Sequence, residues 1–280
     1  MRDVAGKVAV VTGGASGIGR ALCERFAAAG MSVVAADVEE EALAAVERAL
    51  RDGGARTLAV RTDVSRAADV EALARRTLDA FGAVHVVCNN AGVSLAGPLW
   101  EHTLEDWQWL LGVNLWGVVH GLRTFVPILL AQGTPGHVVN TASIAGLTST
   151  PFLGVYNVSK HAVVTMSETL AQELALQGAS VKVSVLCPGF VNTRILDSSR
   201  NRPGTLAPGA ERPRPPELEQ AVRRMIEEGM PPREVAEQVF RAIEEERFWV
   251  LTHPEVVPRL RERLADMIEG RVPVPRLVVD

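Results

Sequence analysis

Short apolar runs rich in valine and alanine alternate along this chain with longer segments whose apolar residues recur every three or four positions. The first pattern is that of buried strands, the second that of helices with one face turned inward. Lys7–Thr12, Ser32–Asp37, Arg56–Thr62, Val84–Asn89, Gly136–Thr141 and Val181–Cys187 read as strands, and Phe248–Thr252 as a last one. Gly17–Ala29, Glu39–Asp52, Arg66–Phe81, Leu104–Gln132 and Tyr156–Gln177 read as helices; Gly53-Gly54 closes the second, and Pro127 is expected to kink the fourth. Strands that are apolar throughout and alternate with helices predict an α/β fold, a doubly wound parallel sheet of about seven strands with helices on both faces. No internal repeat is visible.

The character changes after residue 200. Asn201–Pro216 is rich in Pro, Gly and Arg and lacks apolar periodicity, which predicts a loop. Helices are expected at Glu217–Glu228, at Pro232–Glu246 behind Pro231-Pro232, and at the charged Pro254–Glu269, followed by a tail, Arg271–Asp280. These read as additions to a single domain spanning 1–280: a loop or lid region at 189–230, and a C-terminal helix and tail at 253–280.

The first strand runs directly into Thr12-Gly13-Gly14-Ala15-Ser16-Gly17-Ile18-Gly19. Glycines at a strand-to-helix turn let backbone approach a pyrophosphate, and the new helix aims free N–H groups and its positive dipole end at the anion. Asp37 follows Gly19 by eighteen residues, at the end of the second strand, where a carboxylate can bind the adenosine ribose hydroxyls of a dinucleotide. This is the Rossmann-like arrangement. The same carboxylate repels a 2′-phosphate, and neither Ser16 nor Val38 is basic, so NAD(H) is expected over NADP(H); Arg20 is assigned to the helix surface. Asp63-Val64 and Asn89-Asn90-Ala91-Gly92 end the third and fourth strands, where open parallel sheets bind ligands. Taken alone, each is equally well read as a helix cap or a tight turn.

Tyr156 is the only tyrosine, and Lys160, one of three lysines among 29 basic residues, lies four positions after it. On a helix the two share a face. A free phenol, with a pKa of about 10, is a poor base at neutral pH. A neighbouring ammonium and the positive charge of an oxidised nicotinamide are expected to favour the phenolate.

With Ser143-x12-Tyr156-x3-Lys160, and Pro188-Gly189 followed by Thr193, these motifs occur in an order and spacing that resembles the short-chain dehydrogenase/reductase family from about Lys7 to Thr193. The resemblance implies Tyr156 as general acid/base, Lys160 as the group that lowers its pKa and holds the nicotinamide ribose, and Ser143 as the donor to the reacting oxygen. It implies Asn114 as the holder of a water in a proton relay; a buried Asn satisfied by backbone is the other reading of that residue. It places NAD against Gly13, Ser16, Gly17, Ile18, Gly19, Asp37, Asp63, Val64, Asn90, Ala91, Gly92, Tyr156, Lys160, Pro188, Gly189, Val191 and Thr193. It also implies a homo-oligomer, usually a tetramer, paired through the long helix around Asn114 and the Tyr156 helix.

Net charge is −4, so nothing suggests a nucleic-acid face. No stretch of about eighteen uncharged apolar residues reads as a membrane span, and the polar N-terminus does not read as a signal peptide. Cys23, Cys88 and Cys187 stand in apolar stretches and read as buried thiols of a cytoplasmic protein; the six histidines have no metal-ligand spacing. Ser94–Trp100, Ala145–Leu153 and Phe190 to about Pro216 are expected to rim the substrate pocket through Leu95, Trp100, Leu147, Phe152, Leu153, Phe190, Ile195 and Leu196. That suggests an apolar alicyclic or aromatic secondary alcohol, although the same residues would also pack loops onto the core. Arg200, Arg202, Arg212 and Arg214 either meet an anionic handle or are solvated. The leading expectation is an NAD-dependent alcohol dehydrogenase/ketone reductase. A 3-oxoacyl-thioester reductase and a non-catalytic NAD(H)-binding sensor are the alternatives.

Overall fold

The apolar runs form β1 (Val8–Thr12), β2 (Ser32–Asp37), β3 (Thr57–Arg61), β4 (Val86–Asn89), β5 (Gly136–Thr141), β6 (Val181–Cys187) and β7 (Trp249–Leu251) in a computed structural model that describes residues 1, 3–206 and 216–274. All seven pair in parallel, in the order β3-β2-β1-β4-β5-β6-β7. The chain winds outward one way from β1 and the other way from β4. The crevice for a ligand in such a sheet opens at that switch, at the carboxyl ends of the strands. Val10 at the centre of the sheet pairs with Val34 on one side and Val87 on the other.

Successive strand residues point to opposite faces, and each face has its own core. On one, Val11, Val33 and Leu186 pack with Leu22 and Phe26 of α1 (Gly17–Ala28), Leu43 of α2 (Glu40–Asp52) and Phe240 of α8 (Pro232–Glu245). On the other, Val10, Val34 and Val138 pack with Leu73 of α3 (Ala67–Phe81), Phe125 of α5 (Gly117–Ala131) and Leu174 of α6 (Gly154–Leu176). α8 is tied to α1 by the Phe26 and Phe240 rings, 6.3 Å apart, and by Arg25, whose guanidinium lies 3.4 Å over Phe240. The late helix therefore belongs to the sheet's covering layer. The three cysteines are free and buried, as expected.

The segment predicted as one kinked helix runs through from Leu104 to Ala131, with a π-helical turn inside it. α4 (Leu104–Leu111) starts with a capping box in which Thr103 and Asp106 each accept the other's backbone N–H, and a π-helical turn, Gly112–Trp116, joins it to α5. Pro127 sits inside α5 without ending it, on the exposed side, where water can satisfy the carbonyl that loses its donor. By length and composition Leu104–Ala131 is long and apolar enough to cross a membrane, although Glu105, Asp106 and Arg123 lie within it. Here that apolarity is used for packing, with Phe125 and Leu129 buried against the sheet. Of the predicted loop, residues 207–215, with Arg212 and Arg214, lie outside the described residues; Ile195–Asn201 before it forms a 3-10 turn. α7 (Pro216–Glu227) and α9 (Val257–Ile268) complete the helices, and the tail beyond residue 274 is likewise outside the described residues.

Candidate active site

A cavity of about 490 Å³ opens at the switch between β1 and β4. Gly13, Ser16, Gly17, Ile18, Gly19, Asp37, Asp63, Val64, Asn90, Ala91, Gly92, Pro188, Gly189, Val191 and Thr193 all line it, as do Ser143, Tyr156 and Lys160. The loop after β1 is pinned from below. Thr12 Oγ1 accepts the backbone N–H groups of Asn90 (2.9 Å) and Ala91 (3.1 Å), and Asn90 Nδ2 donates to the Thr12 carbonyl at 2.9 Å. This leaves no room for side chains: a Cβ on Gly13 would lie 2.9 Å from the Ala91 Cα, and one on Gly19 2.0 Å from the Gly13 carbonyl oxygen. Ser16 holds the N-cap of α1 without capping it through its side chain, so first-turn N–H groups remain for an anion. Asp63 accepts from the backbone and hydroxyl of Ser65, and so also shapes the turn into α3.

Asp37 ends β2 with its carboxylate fixed by the N–H groups of Ala15 (3.0 Å) and Glu39 (3.1 Å). Burial raises its pKa, against those hydrogen bonds, which lower it. Glu39 lies beside it on the cavity wall. It is bridged from the far side by Arg200, at 2.8 Å, and by Asn201 Nδ2, at 3.1 Å. Asp37 opposes a phosphate on the adenosine ribose, whereas the charge of Glu39 is taken up by Arg200. Arg20 pairs with Glu24 on the exposed side of α1. The backbone cradle, the open helix end and Asp37 together fit a dinucleotide without a 2′-phosphate.

The opposite end of the cavity holds the proton-active groups. Tyr156 and Lys160 lie one turn apart on α6, with Lys160 Nζ 5.5 Å from the phenol ring centroid. Ser143, at the end of the β5 loop, hydrogen-bonds the phenol, accepts the Ala145 N–H at 3.1 Å and contacts the Pro188 carbonyl at 3.4 Å. The expected acid shift of the tyrosine is not present in the protein alone. Burial pushes Tyr156 up to about 12, outweighing the downward pull of Ser143. Burial also pushes Lys160 down to about 8. The ammonium is held by the Thr141 carbonyl at 2.9 Å rather than by the phenol oxygen. Desolvation is the leading cause of both shifts here.

Among the predicted catalytic and cofactor-binding residues, Asn114 alone does not line the cavity. It sits in the π-helical turn, 1 % exposed, with Oδ1 accepting the Val93 N–H (2.8 Å) and Nδ2 donating to the Val93 carbonyl (2.9 Å) and to Ser159 Oγ (3.2 Å). Its geometry is that of the backbone-satisfied Asn. It stands one layer behind Lys160: a Cβ on Gly92 would lie 3.5 Å from Asn114 Oδ1 and 3.6 Å from Lys160 Nζ.

The family model for short chain dehydrogenases matches residues 7–204. The chain belongs to the short-chain dehydrogenase/reductase family. It is 47 % identical to a family member from Burkholderia phymatum whose crystal structure is a complex with NAD, with a TM-score of 0.95 and 99 % of each chain covered. A CLA biosynthesis dehydrogenase/reductase from Lactiplantibacillus plantarum is 34 % identical, covering 98 % of this chain and 97 % of that protein. A 1-deoxy-11-beta-hydroxypentalenate dehydrogenase from Streptomyces arenae is 38 % identical over 96 % of this chain and 90 % of its own.

Family motifs do not reach every wall of this site. Phe152, Leu153, Phe190, Ile195 and Leu196 line the cavity as expected, but Leu95, Trp100 and Leu147 do not. Trp100 is 84 % exposed, while Leu95 and Leu147 pack against neighbouring core clusters. Their place is taken by Trp109 of α4 and by Leu218, Val222 and Ile226, one stripe of α7. Under the Pro188-Gly189 turn, Gly189 N donates to His253 Nδ1 at 3.1 Å, and a Cβ on Gly189 would lie 2.6 Å from that ring. No local pattern marks His253, because its partner is 64 residues away. The two loop arginines among the described residues are paired: Arg200 with Glu39, and Arg202 with the buried Asp106 at 2.7 Å.

Proposed function

We propose that this protein is an NAD(H)-dependent oxidoreductase that interconverts an apolar secondary alcohol and its ketone, with Tyr156 as general acid/base. One observation carries the reading. A single cavity joins a carboxylate-ended, glycine-lined dinucleotide cradle to a phenol that is hydrogen-bonded by Ser143, backed by Lys160 and faced by apolar side chains. Bound NAD⁺ would accept the hydride and add a positive charge near the phenol. Tyr156 takes the hydroxyl proton as the carbonyl forms and returns it in the reverse direction. Ser143 donates to the same oxygen as charge develops on it. Lys160 holds the ribose end of the nucleotide and, with its ammonium, favours the phenolate. Asn114, fixed by Val93 and Ser159, stands behind Gly92 and Lys160 and supports that wall of the site. Pro188, Gly189 and Thr193 hold the carboxamide.

Initial rates of NADH formation across secondary alcohols of increasing ring size test the proposal. Turnover is expected with cyclic or aryl carbinols, and a protein that binds NADH but oxidises none of them is a sensor instead. The cofactor is NAD. Asp37→Ala should weaken NADH about 10- to 100-fold, the value of charge-assisted hydrogen bonds to the ribose, and narrow the preference over NADPH. Fluorescence titration measures both, and tighter binding of NADPH by the unaltered protein contradicts the assignment. Trp116 and Val158, 54 % and 46 % exposed on the α4–α5 connection and on α6, support a homo-oligomer, a tetramer or dimer. Three buried, unpaired thiols suit a cytoplasmic location.

A further inference from the structure

Thr150, Pro151, Phe152 and Leu153 form a β-turn closed by Leu153 N donating to the Thr150 carbonyl at 3.4 Å. Proline suits the second position of a type II turn, and the third needs φ > 0, which glycine supplies without strain. The residue there is Phe152, with φ 64°. A bulky side chain in this left-handed region is a genuine outlier. Among the described residues only Glu246, at the end of α8, is another non-glycine with φ > 0.

The surroundings hold Phe152 there from two sides. Gly97 N donates to the Phe152 carbonyl at 2.9 Å, and Asn157 Nδ2 of α6 donates to the Thr150 carbonyl at 2.9 Å. The turn leads into α6 four residues before Tyr156, and Phe152 lines the cavity together with Tyr156, Leu153 and Trp109. Strain maintained by over-determined contacts beside reactive groups is a mark of function.

We propose that Phe152 is a specificity-determining residue whose ring forms the wall that selects flat, ring-bearing substrates, and that the chain keeps it at a glycine position for that purpose. The inference deepens the proposed function and rests on it for the identity of the site. A flat aromatic face rewards ring stacking and offers little to a short linear chain.

The test uses Phe152→Gly and Phe152→Leu in the full chain. Binding of acetophenone and of butan-2-one to the NAD⁺-loaded protein, a pair that cannot react, is read by calorimetry beside NAD⁺ affinity and thermal melting. In Phe152→Gly the preference for acetophenone should fall about 10-fold or more, with NAD⁺ affinity within about two-fold and no lowering of Tm beyond about 2 °C. Phe152→Leu, which keeps the strain without the aromatic face, should lose much of the preference without the relief. An unchanged preference overturns the proposal, as does failure of the unaltered protein to bind either ketone. A fall in Tm of the size seen for a truncated core aromatic also overturns it, since the ring is then retained for packing. Selective ketone binding by a protein that oxidises no alcohol leaves the Phe152 inference standing and removes the dehydrogenase reading.

Discussion

Tyr156→Phe is expected to lower turnover by roughly 10²- to 10⁴-fold, the range for loss of a positioned general acid/base, while changing NADH affinity by no more than about three-fold. The ring keeps its place on α6, so packing with Val93, Trp109 and Val155 is conserved. What is lost is one hydroxyl and its hydrogen bond with Ser143, costing about 1 kcal/mol of stability. A purely structural residue would show the opposite pattern, a fold effect without a selective loss of rate. Stopped-flow rates in both directions, with NADH titration and thermal melting on the same samples, check the three quantities together. A variant that keeps more than about a tenth of the rate removes Tyr156 from the chemistry.

Asp106→Ala is expected to have the largest effect on stability. Asp106 is fully buried in α4, and its partner Arg202, 8 % exposed in its side chain, sits with its guanidinium 5.3 Å from the Trp109 ring centroid. Removing one member of a buried ion pair is strongly destabilising, at roughly 3–5 kcal/mol. The capping box with Thr103 is lost as well. For a chain of this size the pair alone corresponds to a fall in Tm of about 5–9 °C. Because Arg202 anchors the segment that follows Ile195–Asn201, the same change should raise KM for an apolar alcohol more than it lowers kcat. Scanning calorimetry of Asp106→Ala, Arg202→Met and Asp106→Leu with Arg202→Met separates the terms. The double change should recover most of the loss, since an apolar pair of similar volume replaces buried ions at little cost. A loss below about 1 kcal/mol would mean that the pair acts as an exposed one.

The strands were legible because parallel sheets covered on both faces need nearly unbroken apolar runs, and Val8–Val11 and Val33–Ala36 are such runs. Gly13 and Gly19 were legible because close backbone contacts exclude a Cβ, and Tyr156 with Lys160 because four positions is one helical turn. The unread features all depend on distant partners or local backbone choice. Glu39 meets Arg200 across 161 positions and Asp106 meets Arg202 across 96, with no pattern near either to announce it. The π-helical turn that buries Asn114 obeys no simple period. The α7 stripe was visible as amphipathic, but not which wall it would face. Desolvation sets the tyrosine's pKa in the protein alone, and helical spacing does not report it; the downward shift expected from the sequence relies on the nicotinium charge as well as on Lys160.

That last point fixes the sign of the pH dependence. A phenol pushed up to about 12 stays protonated through the neutral range in the protein alone. Oxidation needs a proton acceptor and reduction a donor, so the two directions must respond oppositely to pH. The most direct measurement is kcat/KM against pH in both directions on the unaltered protein. Oxidation should rise with pH as the phenol ionises in the NAD⁺ complex, and reduction should fall as it ionises, at higher pH, in the NADH complex, which lacks the nicotinium charge. Profiles that are flat, or that move in the same direction, would contradict Tyr156 as the group that exchanges the proton.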